Sequence, residues 1–167
     1  MLDGLAVALP QCYDHSTLAK YTQMSQAPDI IAILEDNPAR VEIMRRAVAA
    51  LPRNFDLRHF DSVEGLKSLA SSQFARVRLM SLDFNLDNSS VYAARTGMDA
   101  VQYLVKRRSP ICLVIVHTSS AKDACAMSEL LTGNGWTVRL VSFATTDRQE
   151  KWQTAAMELL GLRAARR

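Results

Sequence analysis

Ile30-Ile31-Ala32-Ile33-Leu34-Glu35-Asp36-Asn37-Pro38 turns from an unbroken apolar run to a pair of acids and then to a helix start. A short run of Ile and Leu with no polar break is the pattern of a strand buried on both faces of a parallel sheet. Asn37 followed by Pro38 supplies a helix N-cap and a proline at the first helical position. Val41, Met44, Val48 and Leu51 then fall on one face at helical spacing. A buried strand, two acids and an amphipathic helix thus follow one another directly.

The same unit recurs along the chain. Residues 77–82 and 111–116 are further continuous apolar runs, while 55–60 and 137–141 alternate apolar with polar residues, as half-exposed edge strands do. Between them lie helical segments. Asp61 and Glu64 form a capping pair ahead of Leu66 and Leu69. Met98, Val101, Leu104 and Val105 make a stripe that ends in Lys106, Arg107 and Arg108, cations suited to a helix C-terminus, before Ser109-Pro110 stops it. Met127, Leu130 and Leu131 mark the next helix, stopped by Gly133 and Gly135. Thr146 with Gln149 opens the last, which carries Trp152, Ala156, Leu159 and Leu160. A βα unit repeated five times implies a parallel sheet with right-handed crossovers and helices on both faces. The continuous strands belong in the centre and the alternating ones at the edges. The expected fold is therefore α/β, a flavodoxin-like (βα)5 three-layer sandwich with strand order 2-1-3-4-5. It is expected to span residues 29–161, after an N-terminal extension, 1–28, in which Leu18, Tyr21 and Met24 mark a short helix, and before a basic tail, 162–167, with Arg163, Arg166 and Arg167.

Composition narrows the function classes. The 167 residues are 49% hydrophobic and 22% charged, which excludes wholesale disorder, and a net charge of +3 gives no argument for direct nucleic-acid binding. Cys12, Cys112 and Cys125 form no metal or disulfide spacing and fit a reducing cytoplasm. No stretch approaches the roughly 20 apolar residues of a membrane span.

In this topology the loops after strands one, three and four converge at the switch point of the sheet. They carry Glu35-Asp36, Asp83 and His117-Thr118-Ser119. Clustered carboxylates repel one another, and a divalent cation relieves them; oxygen ligands with room for water suit Mg2+. His117 has two readings, a hydrogen-bonded core residue or an acid/base group beside Asp83. Asp99 caps or orients the loop before its helix. His59 and His15 stand without chemical company.

Ile-Leu-Glu35-Asp36-Asn-Pro, Leu82-Asp83-Phe84-Asn85-Leu86 and Val116-His117-Thr118-Ser119 together resemble the receiver domain of response regulators, the CheY-like family of bacterial two-component systems. The resemblance implies that Asp83 is the nucleophile that accepts a phosphoryl group. It implies Mg2+ held by Asp36, by Glu35 through water, by Asp83 and by the backbone carbonyl of Asn85, and Thr118 as the hydroxyl that follows the phosphoryl group. The partner would be a histidine kinase or a phosphotransfer protein, with output by protein contact, phosphorelay or a homodimer. Three features depart from that pattern. Ser142-Phe143 stands where the family has Lys-Pro, residues 87–95 lengthen the loop between Asp83 and Gly97, and His117 replaces an apolar residue. Ser81-Leu82-Asp83, Thr96-Gly97-Met98-Asp99 and His117-Thr118-Ser119, with Met127 beyond, are more closely similar to cyclic-phosphate processing receiver domains, although Phe84-Asn85 differs from the His-Asp of that group. The leading expectation is a stand-alone receiver phosphorylated on Asp83. The alternatives are a metal-dependent enzyme using Asp83 and His117 on a cyclic phosphate, and a pseudo-receiver that binds partners without chemistry.

Overall fold

A computed structural model describes residues 27–86, 96–107 and 113–163. Most of the N-terminal extension, the 87–95 insert, the Ser109-Pro110 helix stop, Cys12, Cys112 and the tail arginines Arg166 and Arg167 lie outside the described residues. The strands are β1 (Ile30–Leu34), β2 (Asp56–Phe60), β3 (Val77–Leu82), β4 (Leu113–Thr118) and β5 (Thr137–Ser142). The helices are α1 (Pro38–Ala49), α2 (Val63–Lys67), α3 (Ser71–Phe74), α4 (Gly97–Arg107), α5 (Ala121–Thr132) and α6 (Arg148–Leu159). All strand pairings are parallel, in the order β2-β1-β3-β4-β5. This is the flavodoxin-like order expected from the apolar patterning: every residue of β1 is buried, whereas β2 and β5 are largely half-exposed or exposed.

Two apolar layers flank the sheet. On one face Ile30, Ala32 and Leu34 pack with residues of α2 to α5, including Leu66, Phe74, Leu104 and Met127. On the other, Ile31 and Ile33 pack with Met44 and Val48 of α1 and Trp152 and Ala156 of α6. β3 shifts register against β1 between Ile30 and Ile31, so that Val77 faces the first layer and Leu79 the second. That irregularity sets the phase of β3 at its C-terminal end. Residues two beyond Ile33, Ser81 and Ile115 are Glu35, Asp83 and His117. A period of two keeps side chains on one face, so all three emerge toward α1 and α6.

Helix starts follow local chemistry, with two corrections. Asn37 caps α1 as expected, its side chain accepting from the N–H groups of Ala39 and Arg40. The cap of α2 is Ser62, not Asp61: Ser62 Oγ accepts from the Gly65 N–H and donates to Asp61 Oδ1. The hydroxyl one residue further on reaches the free N–H in the right register, and Asp61 supports it instead. α6 begins at Arg148, and its flanking residue Asp147 makes no side-chain cap, so the Thr146–Gln149 capping pair does not form. Thr145 and Asp147 engage Lys151 instead. Among the described residues no helix is long and apolar enough to cross a membrane.

Candidate acidic site

Glu35, Asp36 and Asp83 come together at the C-terminal ends of β1 and β3. Each offers a carboxylate oxygen, and these oxygens lie within 4.8 Å of one another. Glu35 and Asp83 are fully buried and Asp36 half-buried. Glu35 is tied down from every side. Its Oε1 accepts from the Asn37 N–H at 2.9 Å, its Oε2 meets His117 Nε2 at 3.2 Å and Arg40 Nη1 at 3.6 Å, and its backbone carbonyl accepts from His59 Nε2 at 2.7 Å. Asp83 accepts from the Phe84 N–H on Oδ1 at 2.7 Å and from Arg40 Nη1 on Oδ2 at 2.9 Å.

The two buried carboxylates titrate in opposite directions. Burial pushes both upward. For Glu35 the hydrogen bond and charge of His117, the Asn37 N–H and Arg40 outweigh it, and its pKa lies below the ordinary carboxylate value. For Asp83 burial prevails, assisted by the negative charge of Glu35 and opposed by His117, Arg40 and the Phe84 N–H, and its pKa lies above the ordinary value. The pocket thus holds one firmly ionised acid and one whose ionisation is resisted. That is the electrostatic condition a divalent cation relieves, and the all-oxygen set suits a hard ion. The triad could hold such a metal.

His117 is fixed from behind. Its Nδ1 lies 2.8 Å from Ser81 Oγ, which also accepts from Trp152 Nε1 at 2.8 Å, and the ring packs on Phe143 with centroids 4.8 Å apart. A carboxylate can only accept, so Nε2 carries a hydrogen toward Glu35. The Ser81 hydroxyl then donates to Nδ1 of a neutral ring, or to Met44 Sδ at 3.7 Å when the ring is protonated. Trp152, Ser81, His117 and Glu35 form one buried chain of hydrogen bonds running from α6 to the acid cluster.

Gly97 closes the loop. Its N–H donates to the Phe84 carbonyl at 2.8 Å. A Cβ at this position would lie 1.9 Å from the Asp83 backbone oxygen. Only a residue without a side chain lets α4 approach the Asp83 turn this closely. Asp99 caps that helix start by accepting from the Thr96 N–H at 2.8 Å, so its contact is with the loop.

A family model described as the cyclic-phosphate processing receiver domain matches residues 31–133. The chain belongs to that receiver family. No curated protein matches the sequence. Among solved structures it is similar to a CheY-like receiver domain from Methanospirillum hungatei JF-1, at 15% identity and TM-score 0.58, covering 81% of this chain and 96% of that one. The Mn2+-bound form of the response regulator Rcp1 is similar at 18% identity and TM-score 0.59, covering 83% and 98%. The CheY in a CheX-CheY-BeF3-Mg2+ complex from Borrelia burgdorferi is similar at 10% identity and TM-score 0.60, covering 80% and 90%. At such identities the likeness shows the fold.

Within this receiver the residues expected from sequence are distributed unevenly. Glu35, Asp36, Asp83 and His117 lie together. Thr118 is buried at the end of β4, and its Oγ1 accepts from the Ser120 N–H at 3.3 Å, in the turn that starts α5. Asn85 is exposed two residues beyond Asp83. Ser142 pairs with Thr118 at the end of β5 and brings no cation to the pocket, while Arg139 pairs with Glu158 at 3.4 Å. Among the described residues the cation that reaches Asp83 is Arg40, at the third position of α1. Sequence reasoning did not single it out from Arg45 and Arg46 of the same helix. It passed over His59 as well, because a ring bonding a backbone carbonyl across two strands leaves no local trace.

Proposed function

We propose that this receiver accepts a phosphoryl group on Asp83 in a Mg2+-dependent reaction, with a histidine kinase or phosphotransfer protein as donor. The observation that carries the reading is the convergence of Glu35, Asp36 and Asp83 within 4.8 Å, with Asp83 the member whose ionisation is resisted. Asp83 Oδ1 is held by the Phe84 backbone N–H and Oδ2 by the part-exposed Arg40 side chain, so Oδ2 reacts once Arg40 has moved off it. Oδ2 attacks the phosphorus of a phosphohistidine; a P–O bond to the carboxylate forms, the P–N bond breaks, and its electron pair leaves with the imidazole. Glu35 and Asp36 would hold the metal beside Asp83. A divalent cation bound there supplies charge neutralisation for the phosphoryl oxygens as they are transferred. Thr118, at the adjoining strand end, would have to give up its local bond to Ser120 to follow the phosphoryl group. The metal-bound and beryllofluoride-bound receivers of the same fold support the reading by analogy. The test is titration with beryllofluoride and Mg2+ followed by NMR. Shifts of the Asp83, Thr118 and Trp152 signals that need both reagents and vanish in Asp83→Asn support it; a spectrum indifferent to both refutes it.

A second reading, processing of a cyclic phosphate, is favoured by the family match and by His117 standing in the pocket against Glu35. Both ring nitrogens are engaged, so His117 would act as an acid or base only by exchanging Glu35 for substrate. Turnover of a 2′,3′-cyclic phosphate, lost in His117→Ala, supports this reading; no turnover across a panel of cyclic phosphates refutes it.

A further inference from the structure

Arg40 does more than decorate the first turn of α1. Its backbone N–H is fixed by the Asn37 cap, so the start of its side chain is positioned by the helix terminus. Its Nη1 lies between the two buried acids, 2.9 Å from Asp83 Oδ2 and 3.6 Å from Glu35 Oε2. The side chain is 24% exposed, whereas both acids are at 0%. The guanidinium therefore spans the boundary between the buried carboxylates and solvent, and it engages the same Asp83 oxygen that would react. A guanidinium is always charged and carries five N–H donors in a planar fork, a shape that matches phosphate oxygens as well as carboxylates. Nη1 makes the contacts with both Asp83 and Glu35.

We propose that Arg40 is an exchangeable counter-ion. It balances Glu35 and Asp83 while the pocket holds no metal, competes with a divalent cation for those oxygens, and moves onto the phosphoryl oxygens once Asp83 carries the group. The second half rests on the phosphoacceptor reading; the first half does not. The two halves give opposite signs. Competition means that removing the guanidinium tightens Mg2+ binding. Phosphoryl contact means that removing it weakens capture of a phosphoryl mimic.

The experiment is calorimetric titration of wild type, Arg40→Gln and Arg40→Lys, first with Mg2+ and then with beryllofluoride at saturating Mg2+. Arg40→Gln is expected to bind Mg2+ about tenfold tighter and beryllofluoride at least about tenfold more weakly, in line with the loss of one charge-assisted hydrogen bond in each state. Arg40→Lys keeps the charge without the fork. It is expected to stay near wild type for Mg2+ and to fall between the other two for beryllofluoride. The side chain is partly exposed at a helix start whose cap is made by Asn37, and melting curves by circular dichroism establish that each variant is folded. Mg2+ affinity unchanged or weakened in Arg40→Gln overturns the counter-ion role. Beryllofluoride affinity unchanged in Arg40→Gln overturns the phosphoryl contact. If wild type takes up no beryllofluoride, the phosphoacceptor reading and with it the second half fail, and the Mg2+ arm still decides the first.

Discussion

Ser81→Ala tests the buried chain that fixes His117. Ser81, His117 and Trp152 are all at 0% exposure, and Ser81 Oγ is the shared partner of Trp152 Nε1 and His117 Nδ1, at 2.8 Å each. Alanine deletes that oxygen and strands two buried polar groups. An orphaned buried donor or acceptor costs about 1–3 kcal/mol. Removing the hydroxyl also removes its own desolvation cost, which offsets part of the sum. The space vacated by one oxygen is smaller than a water requires, so solvent does not repair the loss. The expected destabilisation is about 2–4 kcal/mol. The assay is urea unfolding followed by far-UV circular dichroism, because Trp152 fluorescence responds to the substitution itself. An unchanged m-value shows that the native state and not the denatured one has been altered. A double-mutant cycle with Trp152→Phe isolates the pair, with a coupling of about 1 kcal/mol or more in which the second substitution costs less than the first. A loss in Ser81→Ala below about 1 kcal/mol, or additivity in the cycle, would refute the shared hydrogen-bond chain.

Asp83→Asn is expected to raise the Tm of the metal-free protein at neutral pH. The pKa of Asp83 is raised in the folded state, so the folded protein holds that proton more tightly than the unfolded chain does. Its stability contribution falls as pH rises from the ordinary carboxylate value through the raised one, and the advantage of Asn over Asp therefore disappears on acidification; melting curves across pH check this. Glu35 runs the other way. Its lowered pKa gives stability that is present above the ordinary carboxylate value and lost as pH falls through the folded one, so Glu35→Gln is expected to destabilise at neutral pH and to converge with wild type in acid. Gly97→Ala brings a methyl group against the Asp83 carbonyl, where a Cβ would sit at 1.9 Å. It is expected to cost about 1–3 kcal/mol and to weaken Mg2+ binding, read by thermal melts with and without the ion.

Much of the fold was legible because its signals are local. The apolar runs 30–34 and 77–82 coincide with β1 and β3, and the contrast between continuous and alternating strands ordered the sheet. The Asn37-Pro38 cap was legible for the same reason. The α2 start was misplaced by one residue because Asp61 and Ser62 are both good caps, and the choice depends on which oxygen reaches the Gly65 N–H. In the site, the acids were legible because they follow apolar strands. The partners of His117 were not. Ser81 and Trp152 stand 71 positions apart and meet only because the β3 register shift turns Ser81 toward α6. Arg40 was hidden for a related reason: an arginine in the first turn of a helix reads as a solvated charge until the acids it faces have been placed.

Phosphorylation of Asp83 is tested most directly by intact-mass and peptide mass spectrometry after incubation with acetyl phosphate, with and without Mg2+. One added phosphoryl group is expected, dependent on Mg2+, mapped to the peptide that carries Asp83 and absent from Asp83→Asn. Unmodified protein under conditions in which a receiver control is labelled, or a label that persists in Asp83→Asn, would contradict the assignment of Asp83 as phosphoacceptor.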